Sequence, residues 1–171
     1  QLTATDNGGD GLWIHAYSST HAAPVTVTVA DAVLNDNDAA GVEVYAGSTG
    51  DTGDVWVSFA DVEALRNFGH GIYVSAISSG EQSPIRIFAS NVDASDQIAC
   101  AGINTLALVN GSGDMAMIFD QVDASSNGSS GVWADARMNG SQGSVVVDFS
   151  DVSANGNAAD GFFVNADTAY G

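Results

Sequence analysis

Lysine is absent from this chain of 171 residues, and its only arginines are Arg66, Arg86 and Arg137. Against 21 Asp and Glu this leaves a formal net charge of −18 and a pI near 4.1. A surface of that sign repels phosphate and anionic lipid, which excludes nucleic-acid binding and attraction to an acidic membrane. Charge is also scarce in total, 14% of residues where soluble domains carry roughly 25%. The single Cys100 cannot close an internal disulfide, and with no CxxC or Cys/His cluster there is no zinc motif. No apolar run approaches the roughly 20 residues of a membrane-spanning helix, so no membrane insertion is expected. No basic stretch leading into an apolar one opens the chain; any signal peptide is expected to be gone already.

Apolar residues are not scarce. They make up 45% of the chain, with mean hydropathy +0.10, enough for a sizeable core and against disorder. One domain over residues 1–171 is expected. The segments VTVTVADAV (25–33), VWVSFADVE (55–63), IRIFASNVD (85–93), MAMIFDQVD (115–123) and VVVDFSDVS (145–153) begin thirty residues apart. A second series, from GLWIHA (11–16) through GVEVYA (41–46) and GIYVSA (71–76) to GFFVNA (161–166), keeps that spacing, except that the copy at 102–107 comes one residue late. Within each unit the apolar residues alternate, the period of a strand with one buried face. Equal units without a helical segment predict an all-β parallel solenoid of about five to six rungs, three short strands per rung, uncapped at both ends and read as a segment of a longer array. Asn7, Asn37, Asn67, Gln97, Asn127 and Asn157 recur at one turn position and are expected to form a structural amide ladder. Asp31, Asp61, Asn91, Gln121 and Asp151 recur where the alternation breaks, a place for bent backbone.

Asn, four residues, then Gly-apolar-x-Val, preceded by alternating strands, resembles the right-handed parallel β-helix repeat of the pectate-lyase-like superfamily over Leu2 to Ala166. The resemblance implies a right-handed coil but no single activity, because the superfamily holds lyases, hydrolases, epimerases, phage spikes, adhesins and inert stalks. Its enzymes on acidic polysaccharides generally meet uronates with Arg or Lys, often with calcium, whereas the three arginines here fall at unrelated phases of the repeat. The epimerase-like branch implies Tyr, His and Asp together. The nearest stretch is Asn67 to Tyr73, in which His70 is expected as a solvent-facing turn residue. His15 and His21 have no evident partner, and no catalytic residue is assigned.

No cofactor or metal site is assigned either. Asn35–Asp36–Asn37–Asp38 and Asp51–Thr52–Gly53–Asp54 offer oxygen ligands for weak Ca²⁺ binding at most, since neither has EF-hand spacing; diffuse cation screening is the preferred expectation. Cys100, in the unit with the extra residue, is expected to be packed rather than reactive. Outward positions of the third strand collect Trp13, Tyr45, Tyr73, Trp133 and Phe163 as candidate contacts for a partner or a glycan. Ile and Leu among them favour protein contact. The expected function is that of a non-catalytic extracellular or cell-surface structural protein, a stalk, adhesin segment or filament subunit. Its partners would be further copies or flanking repeats. The alternative is a polysaccharide-binding or polysaccharide-modifying β-helix.

Overall fold

The computed structural model describes residues 1–19, 23–50, 52–140 and 142–168. His21 and Asp51 lie outside the described residues. Those described form a β-solenoid of about five turns, with two strands to each turn and no helix. The long strands are β3 (Val25–Val33), β5 (Val55–Glu63), β7 (Ile85–Asp93), β9 (Met115–Asp123) and β11 (Val145–Ser153), with the fragment β1 (Leu2–Thr3) at one edge. The short ones are β2 (Leu12–Ser18), β4 (Val42–Ser48), β6 (Ile72–Ser78), β8 (Ile103–Val109), β10 (Val132–Met138) and β12 (Phe162–Thr168). Odd-numbered strands make one six-stranded parallel sheet and even-numbered strands the other, each in chain order.

Register follows the repeat. Val25 pairs with Val55, Val55 with Ile85, Ile85 with Met115 and Met115 with Val145. On the other sheet Ile72 pairs with Ile103 and Ile103 with Val132. The extra residue is therefore absorbed in the turn before Ile103 and given back in the next loop. Alternation decides which face is inward: Val25, Val27 and Val29 are buried, while Thr26 and Thr28 are exposed. Between the sheets lies one continuous core, whose largest fully buried side chains include Phe59, Phe119, Ile72, Ile103, Met115 and Met117.

The expected first and second strands of each rung are two limbs of one strand, so each rung has two strands, not three. The bend falls on Asp31, Asp61, Asn91, Gln121 and Asp151, all at positive φ between 51° and 54°. Pairing skips the bent residue: Ala30 pairs with Ala60 and Ala32 with Val62, and the ladder resumes after one residue. Asp and Asn accept this left-handed conformation better than other side chains. A second left-handed column, Asp6, Asp36, Arg66, Asp96, Ser126 and Gly156, turns the chain before the short strand. Its mixed residue types concealed it in the sequence.

Candidate functional site

The ladder residues come first, because they set the geometry of the outer face. Asn37, Asn67, Gln97 and Asn127 are buried. Asn7 donates from Nδ2 to Asn37 Oδ1 (2.8 Å), Asn37 to Asn67 Oδ1 (2.9 Å) and Asn127 to Asn157 Oδ1 (3.0 Å). Each of these acceptor oxygens also takes the backbone N–H of the residue one rung back. The longer Gln97 breaks the side-chain run: its Oε1 still accepts the Asn67 N–H (2.9 Å), but its Nε2 donates to the Ala64 and Ser95 carbonyls. Asn67 Nδ2 turns to the Leu34 carbonyl (3.0 Å). This packing explains the glycine that follows each ladder position, four residues after each Asn and five after Gln97. A Cβ on Gly41 would lie 2.9 Å from Asn67 Nδ2 and 2.7 Å from the Gly71 carbonyl oxygen, and one on Gly71 would lie 2.9 Å from Gln97 Nε2.

Outward from these turns, the five expected contact residues divide into two groups. Trp133 and Phe163 stack as an isolated pair, ring centroids 3.9 Å apart. Trp13, Tyr45 and Tyr73 join a separate run. Trp13 lies 5.9 Å from His15, His15 6.4 Å from Tyr45, and Tyr45 5.8 Å from Tyr73. Asn104, between Tyr73 and Trp133 in the strand register, separates the groups. Ile77 and Leu108 stand in the column of Tyr17, outside the ring run. The run ends on His70, stacked on Tyr73 at 5.6 Å and 27°.

His70 is not the solvent-facing turn residue expected from the sequence. It is half-buried, its Nδ1 accepts the Ala101 N–H (3.2 Å), and Asn104 Nδ2 lies 3.4 Å from its Nε2. The contact is the equivalent of Ala40 N–H to Asp10 Oδ1 two rungs earlier, a rung-to-rung bond that local sequence could not show. Burial pushes the imidazole pKa down, outweighing the Glu43 charge. Unfolded His70 therefore takes up a proton at higher pH than folded His70 does. Stability from this group is present above about pH 6.5 and declines as pH falls from there toward the folded value. His70→Gln should flatten the fall in melting temperature between pH 7.5 and 5 relative to the wild type. An unchanged slope would assign the pH dependence elsewhere.

His70 and Tyr73 line a cavity of about 230 Å³ with Asp10, Ala39, Ala40, Glu43 and Gly69. Tyr, His and Asp thus do meet, and the Ala101 N–H engages His70 at Nδ1, which fixes the ring. Glu43 accepts the Tyr45 hydroxyl, and that bond, with burial and the carboxylate charge, pushes Tyr45 up to about 12.

The bent strands create a second concavity. An open groove of about 930 Å³ follows the bend, lined among others by Asp31, Asp61, Glu63, Asp93, Asp123 and Asp151. Burial pushes the Asp93 pKa up, the neighbouring Asp123, Glu63 and Asp96 add to it, and the Ser95 hydroxyl opposes it. Among the described residues no three His, Cys, Asp or Glu are grouped to hold a metal ion. The 35–38 turn is not a set of free ligands. Asn37 is in the ladder, Asn35 Oδ1 accepts the Leu65 N–H (2.7 Å), and Asp36 is held by Arg66 at 2.7 and 2.8 Å. The other arginines pair too, Arg86 with Asp54 at 3.6 Å and Arg137 with Asp135. Cys100 is half-buried.

Fold and surface define the class as a parallel β-solenoid with an internal amide ladder and an aromatic outer strip. Comparison with protein families, curated proteins and solved structures found no match.

Proposed function

We propose that this chain is a non-catalytic structural solenoid of the cell exterior, a stalk, adhesin segment or filament subunit that works by adding rung upon rung. The observation that carries this reading is the translational equivalence of the rungs. Strand register and ladder repeat along one axis, and the last rung offers the same contacts as the inner ones. Phe162 and Val164 are 44% and 45% exposed, while their counterparts one rung back, Val132 and Ala134, are fully buried. Asn157 Nδ2 is buried without an acceptor. The matching groups for a head-to-tail neighbour are Asn7 Oδ1, Leu12 and Ile14, at the equivalent positions of the first rung. Such contacts are heterologous and extend without closing. The neighbour is a second copy or flanking repeats of the same chain.

The lysine-free, acidic composition and single cysteine support an exterior setting. The Asn, four residues, Gly repeat supports a place among the right-handed β-helices of the pectate-lyase-like type. Like-charged chains repel, so association should strengthen as salt screens them. Sedimentation velocity across concentration, in low salt and 1 M NaCl, should show growing mass for the wild type. Val164→Lys should stay monomeric, because it puts a charge in the terminal stacking face. A wild-type particle that is strictly monomeric at high salt and high concentration would reject self-assembly.

A further inference from the structure

The cavity at His70 and Tyr73 supports a binding role that does not depend on assembly. At about 230 Å³ it is below the roughly 300 Å³ of the smallest drug-sized pockets, so it suits a single small ring. Its walls divide by chemistry. Ala39, Ala40, Gly69 and Tyr73 make it largely carbon surface, while the acidic residues Asp10 and Glu43 stand in its wall. Asp10 is held in place, its Oδ1 accepting the Ala40 N–H (2.9 Å). His70, fixed through its Nδ1 by the Ala101 N–H, braces the Tyr73 ring from one side. Beyond the cavity the strip continues over Tyr45 and His15 to Trp13, which is 58% exposed.

We infer that this cavity binds one hexopyranose residue of an uncharged polysaccharide, with the strip to Trp13 carrying the adjoining residues. A pyranose presents a carbon–hydrogen face that packs on aromatic carbon and a rim of hydroxyls that donate to carboxylates. Charge selects within the sugars. A uronate or sulfated sugar would bring a further anion beside Asp10 and Glu43, with no arginine in the cavity wall to offset it. Ile77 and Leu108 lie in the column beside the aromatic run, and Leu106 continues the His15–Tyr45 column only beyond Ser75.

Isothermal titration calorimetry of the whole chain against neutral cello-, xylo-, manno- and galacto-oligosaccharides tests the site, with oligogalacturonate and chitosan oligomers as charged comparisons. Saturable binding of at least one neutral oligosaccharide and none of oligogalacturonate is expected. Tyr73→Ala and Glu43→Gln should each weaken that binding about tenfold or more, a loss of about 1.4 kcal/mol. Trp133→Ala, on the separate ring pair, should leave it unchanged. Should Tyr73→Ala disturb the rung, as seen by circular dichroism, the Glu43→Gln and Trp133→Ala pair still decides. No saturable neutral ligand, tighter binding of the uronate, binding of chitosan alone, or equal losses at Glu43 and Trp133 would each overturn the inference.

Discussion

Phe119→Ala is expected to destabilise the solenoid by about 3–5 kcal/mol, the range for removing a buried phenylalanine. Phe119 is fully buried and stacks on Phe149 with ring centroids 5.1 Å apart and planes 11° from parallel. The column it occupies runs Val29, Phe59, Ala89, Phe119, Phe149. Ala89 already stands on the other side, so the variant would place two alanines in succession under a rigid ladder. Rung spacing is fixed by backbone hydrogen bonds on both sheets, leaving little room for the walls to collapse. Ser58→Ala is the control. Its hydroxyl donates to Thr28 on the exposed face (3.1 Å), and its loss should change stability by no more than about 0.5 kcal/mol. Urea titration should show a lower midpoint for Phe119→Ala alone. Comparable shifts at both sites would contradict the assigned faces.

Asn67→Ala is expected to cost a similar amount, roughly 3–5 kcal/mol, through hydrogen bonds instead of volume. Its Oδ1 accepts both the Asn37 N–H (3.0 Å) and Asn37 Nδ2 (2.9 Å), and its Nδ2 satisfies the Leu34 carbonyl (3.0 Å). Asn37 Nδ2 keeps only a longer contact to the Ala4 carbonyl, 3.3 Å, while Asn37 Oδ1 still accepts from Asn7. Truncation leaves several buried polar groups unpaired, at about 1–3 kcal/mol each. Asn157→Ala should cost about 1 kcal/mol, because Asn157 is only part-buried and supports one neighbour instead of two. Denaturant titration of the two variants measures the difference directly. Equal losses would mean that the amides act singly, not as a ladder.

The thirty-residue spacing was enough to read the fold. Columns such as Val55, Ile85 and Met115 are inward because strand alternation must bury one face, and like residues stack when equal units coil. The amide ladder was legible for the same reason. Strand number was not. The bend at Asp31 and its equivalents interrupts alternation just as a strand end would, and only hydrogen-bond register distinguishes them. The reason for the glycines was hidden too, since Gly41 faces an amide 26 residues further along, from the next rung.

At the candidate site the division is sharper. Trp13, Tyr45 and Tyr73 could be placed outward from their parity in the strand, but parity says nothing about contacts between columns. Tyr45 meets Tyr73 diagonally, across adjacent columns. His70 and Asp10 sit in turns, where no period constrains the side chain, and they reach one cavity only because successive turns stack. Sequence by itself determined the coil, its core columns and its charge, which follow from one-dimensional periodicity and composition. The cavity, the pairing of every arginine and the burial of His70 were decided by the tertiary structure, because each depends on how neighbouring rungs juxtapose residues about thirty positions apart.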